Sequence, residues 1–279
     1  MGKLFKNLKP YWKSVLVIVV LLVVQAFCDL SLPQYTSDII DTGIQNSGVE
    51  HILPEKITAE EFQNAQLFMT ADEQKTWQDA YSGDGDLLDR NDFSKKDLEQ
   101  FDSDLIVPIL LNYQMSMMSE DGFREMLMQQ QQGNPQAAEQ LKTMSIADIG
   151  KSMGVTLTPF ERTEEDDDGN QTTVTCVDVR PLFAAMQEAG QFTEETRSEM
   201  RSQLETMLDT MGESLVQSMG VAYAVQCDQA AGLDTHNIQT NYLWAAGGKM
   251  IAIAFAMMAV TICVSYVAAR VGAGVGRDL

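Results

Sequence analysis

Four cysteines, two histidines and one dense run of carboxylates are the side chains of this 279-residue chain whose types could do chemistry. Cys176 and Cys227 lie in a strongly acidic middle region, whereas Cys28 and Cys263 fall in apolar runs. If the middle faces an oxidising compartment, Cys176 and Cys227 are a candidate disulfide; the other reading is two buried thiols, which cores accommodate well. The run from Glu161 to Asp168 suggests calcium. Placing Glu164, Asp166, Asp168 and Gly169 on the ligand positions of a calcium loop puts Thr175 at the twelfth, where a bidentate glutamate belongs, so a solvated turn between strands is the better reading. Asn170, Gln171 and Thr172 spell a glycosylation sequon, which matters only in a cell that glycosylates secreted chains. His51 and His236 stand apart from any cysteine or histidine at zinc-ligating spacing, and neither accompanies a nucleophile motif. No metal, cofactor or catalytic residue is therefore assigned in this chain.

Methionines offer softer chemistry. The segment from Glu194 carries Met200, Leu204, Met207, Leu208, Met211 and Leu215 on one stripe, and Met115, Met117 and Met118 cluster similarly. Thioethers bind varied apolar partners, or copper, but spacing of this kind is first of all that of a packed helix face. Two charges interrupt apolar runs, Asp29 and Lys249. Ionisable groups at membrane depth are costly and usually paired. Asp29 precedes Tyr35 by six residues and Lys249 follows Tyr242 by seven. Each would then lie about 10 Å below an outer boundary, and antiparallel helices would bring them level as an ion pair. The alternative is that Lys249 snorkels outward alone.

The elements that must position these residues begin with two membrane spans. Tyr242 to Val267 is apolar apart from Lys249, long enough for a hydrocarbon core of about 30 Å, with Tyr242 and Trp244 at one end and Arg270 and Arg277 past the other. By the positive-inside rule this helix enters from outside and leaves in the cytoplasm. Val15 to Cys28 is a second apolar run, preceded by Lys3, Lys6, Lys9 and Lys13 with Tyr11 and Trp12 at the junction. A signal peptide competes, but no small-x-small cleavage pattern follows, and Leu32, Ile39, Ile40 and Ile44 keep helical spacing. Between Asp41 and Thr240 there are 12 basic and 37 acidic residues, a net of −25, against +4 for the two ends together. Such a middle repels phosphates and anionic lipid, which excludes a nucleic-acid role.

Four regions follow: residues 1–13, a cytoplasmic interfacial segment; 14–45, a first transmembrane helix with an outer extension; 46–240, an acidic extracytoplasmic domain; and 241–279, a second transmembrane helix with a cytoplasmic extension. The expected fold is mostly α, two antiparallel transmembrane helices flanking a predominantly helical extracytoplasmic domain with a small β-hairpin. In the middle, Thr58 with Glu61 and Thr70 with Glu73 have capping-box spacing. Ser94 would cap a helix through Gln114, with Pro108 ending or kinking it. Helices are also expected over Ser119–Gln131, Pro135–Met144, Ile146–Met153, Pro181–Ala189, Glu194–Met211 and Glu213–Ala230. Alternation over Val155–Phe160 and Thr172–Val179 predicts the hairpin.

The two ends carry a likeness. LPQYTSDIIDTGI, from Leu32 to Ile44, resembles the outer end of the first transmembrane helix of ABC exporters that fuse six helices to an ATPase domain. AGLDTHNIQTNYLWAAGGKM from Ala231 and SYVAARVGAGVGRDL from Ser265 are similar to the second helix and its cytoplasmic extension. The resemblance covers roughly Met1 to Gly48 and Ala231 to Leu279. It implies the N-terminal, permease portion of a half-transporter that moves a substrate of unknown identity outward, embedded in the lipid bilayer and paired with a second half, identical or related. The family usually joins these helices by a short outer loop, so the middle region is an insertion. Residues 1–279 hold no GxxxxGK[ST] phosphate loop, and VGAGVGR from Val271 lacks a preceding strand, so ATP and magnesium are expected of the parent protein and ATP hydrolysis is not expected of this chain. The rival architecture is a two-span chemoreceptor or sensor kinase with an outer sensing domain; a membrane-anchored interaction domain is the third.

Overall fold

The computed structural model describes residues 12–130, 139–141, 143–165 and 171–277. The chain is mostly helical and divides into two compact units, residues 1–50 with 234–279, and residues 51–233.

The first unit is a helical hairpin. Helix α1, Trp12–Asp38, continues as a π-helical segment, Ile39–Gln45. Its partner, which we number α10, runs unbroken from Thr235 to Arg277. Both are long and apolar enough to cross a membrane, and their apolar stretches are not buried within the protein. On α1 the partly covered side chains include Ile18, Leu21, Gln25, Cys28, Leu32 and Tyr35; on α10 they include Met250, Ile253, Met257, Val260, Val264 and Val267. Steps of three and four alternate along both, which is the seam of a two-stranded coil. The helices are antiparallel, since Gly43 packs against Tyr242 and Leu243. A Cβ on Gly43 would lie 2.7 Å from Leu243 Cδ2, and its carbonyl accepts from Gln239 Nε2 at 2.9 Å. Glycine is what lets the backbones approach here.

The second unit opens on two small antiparallel sheets among helices. Strands β1 (Lys56–Thr58), β2 (Tyr81–Ser82) and β3 (Leu87–Arg90) form a sheet of order β1-β3-β2, with Ile57 opposite Leu88 and Tyr81 opposite Arg90. Helices α2 (Ala59–Ala65) and α3 (Ala71–Ala80) start where Thr58 and Thr70 accept from the backbone N–H of Glu61 and Glu73, as the spacing predicts. Helix α4, Lys95–Ser116, has a reciprocal Ser94–Asp97 box. Pro108 does not end α4: it is buried, as Leu105, Ile109 and Leu111 of the same helix are, and that burial offsets the lost backbone bond.

Strands β4 (Met118–Ser119), β5 (Pro159–Glu165) and β6 (Gln171–Val177) form the second sheet in the order β4-β6-β5; in sequence helices α5 (Glu120–Gln130) and α6 (Ile146–Ser152) separate β4 from β5, and α7 (Arg180–Glu188) follows β6. The expected hairpin exists, with its first strand displaced. Val155 to Thr158 is irregular, because Val155 and Leu157 cross Gly150 instead of pairing. Helices α8 (Glu194–Leu208) and α9 (Glu213–Ala230) complete the unit. Of the helix expected over Pro135–Met144, residues 139–141 and 143 are helical, while 135–138 and 142 lie outside the described residues, as do Asp166, Asp168, Gly169 and Asn170.

Phe68, Phe183 and Phe192 form a triangle of edge-to-face rings at the centre of the core, 5.4 to 5.9 Å between centroids. A second aromatic cluster joins Phe62, Trp77 and Tyr81, with Trp77 Nε1 donating to the Phe62 carbonyl and Tyr81 to that of Pro54. A Cβ on the buried Gly150 would meet the Val155 carbonyl and Leu157 Cγ at 2.9 Å, neither of which can withdraw without moving backbone or core. Gly150→Ala is therefore expected to destabilise the protein by about 1 to 3 kcal/mol despite alanine's higher helix propensity, as read from denaturant unfolding of the full chain in detergent.

Candidate functional site

Two clefts in the 51–233 unit bring together side chains far apart in sequence. The first, about 410 Å³, has charged side chains in its lining and is formed by the start of α2, the ends of α4 and α9, and the β6–α7 corner. Arg180, the first residue of α7, is held there by carboxylates from both sides. Its Nε and Nη2 donate to Asp178 at 2.8 to 3.2 Å, and Nη1 donates to both Glu61 oxygens at 2.7 and 2.8 Å. Asn112, fully buried on α4, closes the ring by accepting from Arg180 Nη1 at 3.2 Å and donating to Glu61 at 2.8 Å. Burial opposes the charge on Arg180, but the Asp178 hydrogen bonds and the field of Glu61 outweigh it and hold the guanidinium protonated.

The same cleft takes in Tyr223 and Cys227 from α9. Burial raises both far above their ordinary values, with the neighbouring Cys227 adding to the shift of Tyr223 and Glu61 to that of Cys227. At neutral pH neither the phenol nor the thiol ionises, so the cleft presents no activated nucleophile. One residue on, Asp228 is fully buried and accepts the backbone N–H of Lys56 at 2.8 Å, while its second oxygen has no hydrogen-bond partner. Burial pushes this carboxyl up to about 6, against the pull of the Lys56 N–H. A third fastening joins α3 to α8, where Arg201 grips Glu73 at 2.5 and 2.7 Å.

The second cleft is apolar, also about 410 Å³, and its walls come from α4, α5, α7 and α8. Six methionines line it, Met115, Met118, Met126, Met186, Met200 and Met207, over a floor of Leu111, Phe183 and Leu204. The stripe on α8 is thus divided. Leu204 and Leu208 belong to the core, whereas Met200 is half-buried and Met207 is 40% exposed.

The sequence candidates fall as follows. Cys176 and Cys227 are both buried thiols and form no disulfide. Cys176 sits on β6 across from Ser119 and Phe160, while Cys227 on α9 has Tyr223 and Glu61 as its polar neighbours. Asp29 and Lys249 are exposed, off the helical seam, and no ion pair joins them among the described residues. The register explains why: with Gly43 against Leu243, Asp29 is level with the region of Met257, roughly eight residues or about 12 Å along the axis from Lys249. Thr175 is a strand residue opposite Glu161. His51 Nδ1 lies 2.7 Å from Asp102, which also accepts from Ile52 N–H and Gln217, so the histidine fastens the incoming segment to α4. His236 lies in the first turn of α10, its backbone N–H on Asp234. Among the described residues no three His, Cys, Asp or Glu side chains could hold a metal, and the methionines bring no histidine or cysteine with them into their cleft. The sequence reading missed the Arg180 ring, which joins residues separated by up to 119 positions. Its only local signal is DVRPLF, an arginine at a helix start two residues after an aspartate. No protein-family model, curated protein or solved structure matches this chain.

Arg180→Met would strand Glu61, Asp178 and Asn112 without their cation. We expect a loss of about 3 to 5 kcal/mol in denaturant unfolding, and no rescue by Arg180→Lys, which cannot reach both carboxylates with a planar fork. Asp228 has its carboxyl raised from 3.8 to about 6, so its ionisation costs the folded state stability as pH rises through that window. The stability of Asp228→Asn relative to the natural protein is therefore expected to rise by at most about 3 kcal/mol between pH 4 and pH 7, then level off.

Proposed function

We propose that this chain is the permease portion of an ATP-driven ABC exporter, carrying between its first two transmembrane helices an acidic extracytoplasmic domain that gates the outer opening, receives substrate or holds a partner subunit. The observation that carries this reading is the helical hairpin. Its second helix has 43 residues, about 64 Å at 1.5 Å per residue, roughly twice the hydrocarbon thickness. Helices that project well beyond the bilayer are what the likeness of LPQYTSDIIDTGI and SYVAARVGAGVGRDL to exporter helices implies.

Topology in this reading follows from charge. Lys3, Lys6, Lys9 and Lys13 precede the first span and Arg270 and Arg277 follow the second, a bias of basic residues flanking the spans that supports both termini in the cytoplasm and residues 46–240 outside. Transport energy would come from ATP and magnesium bound by other parts of the complete half-transporter, acting with a second half.

The sequence of the transcript that encodes this chain tests the proposal. We expect the reading frame after codon 279 to supply four further apolar spans and a GxxxxGK[ST] phosphate loop. A histidine-kinase or methyl-accepting relay there would overturn the exporter reading in favour of a two-span receptor.

A further inference from the structure

We propose that the methionine-lined groove of the 51–233 unit docks a basic amphipathic helix from another polypeptide, its apolar face in the groove and its lysines or arginines against the acidic rim. The groove contains no charged side chain; its polar margin is Gln114, Thr196 and Gln203. Thioethers are flexible and polarisable, so one such lining accepts side chains of different shape, and an amphipathic helix laid into an apolar groove is an established recognition mode.

Charge selects the kind of helix. Every arginine on α5, α7 and α8 is turned inward and already engaged: Arg124 to Glu120 and the carbonyls of Leu141 and Met144, Arg180 to Asp178 and Glu61, Arg197 to Glu194, and Arg201 to Glu73. Their side chains are only 9 to 14% exposed. What these helices show to solvent is carboxylate: Asp121 and Glu125 on α5, Glu188 on α7, Glu195 and Glu199 on α8. Glu195 and Glu199 stand one turn apart on the row adjoining Thr196, Met200 and Gln203. An apolar groove beside unneutralised carboxylates favours a partner that is both apolar and cationic, and repels an acidic helix or an anionic lipid.

The test uses the full chain in nanodiscs of zwitterionic lipid and a fluorescent synthetic leucine–lysine amphipathic helix, with empty nanodiscs subtracted. Saturable binding that weakens with salt is expected, and the counterpart with glutamate for every lysine should not bind. Met200→Gln with Met207→Gln is expected to weaken affinity about tenfold, and so is Glu195→Lys with Glu199→Lys, which alters only exposed positions and leaves the core intact. Unfolding curves coincident with the natural protein's will show that each variant is folded. Binding no greater than to empty nanodiscs, equal binding of the glutamate peptide, or unchanged affinity in both folded double variants would overturn the proposal.

Discussion

A domain can be inserted between two antiparallel helices only if its own ends leave it side by side, and the hydrogen bond from the Lys56 N–H to the buried Asp228 carboxylate is where this chain meets that constraint. Lys56 follows the start of the 51–233 unit by five residues and Asp228 precedes its end by five. In the hairpin unit the matching requirement is met by Gly43 and Gly48, whose missing side chains let the end of the first helix lie against Gln239, Tyr242 and Leu243. With those two closures in place, the size of the insert is of little consequence to the hairpin. Loop-closure cost no longer grows with its length once the insert is folded with its ends together.

The insert is then assembled by arginines used as internal ties. Arg180 links α2, α4 and the β6–α7 corner, Arg201 links α3 to α8, and Arg124 holds the segment at 141–144. Each is largely buried, and each consumes one or two carboxylates at a cost in desolvation that hydrogen bonds must offset. The same use of arginine has a surface consequence. With the positive charges of three helices turned inward, their exposed faces are acidic around an apolar groove, and internal architecture and surface recognition share a cause.

Local signals in the sequence were sufficient for the helices and their starts. Thr58, Thr70 and Ser94 cap as their spacing requires, and the helix expected over Glu213–Ala230 has those bounds. The β1-β3-β2 sheet was invisible because its strands have two to four residues, too few to show a period of two. Val155 and Leu157 alternate as strand residues do, yet they pack over Gly150, so the same pattern arose from a different contact. The methionine stripe read as core, which Leu204 and Leu208 are; that Met200 and Met207 line a groove depends on α4, α5 and α7 being beside them, and no helix carries that information alone. Both long-range pairings proposed from sequence, Cys176 with Cys227 and Asp29 with Lys249, needed a register that spacing cannot supply.

The proposed topology has two spans of opposite direction with the 51–233 unit outside the cytoplasm. Cysteine labelling with a membrane-impermeant maleimide measures this directly, in intact cells carrying either Asp84→Cys or Arg277→Cys. Cys176 and Cys227 are buried, and Cys28 and Cys263 lie in the apolar helices, so the introduced thiols dominate the signal. The expected result is labelling at position 84 without lysis and at position 277 only after it. Labelling of 277 in intact cells with 84 protected would contradict the topology and the exporter reading built on it.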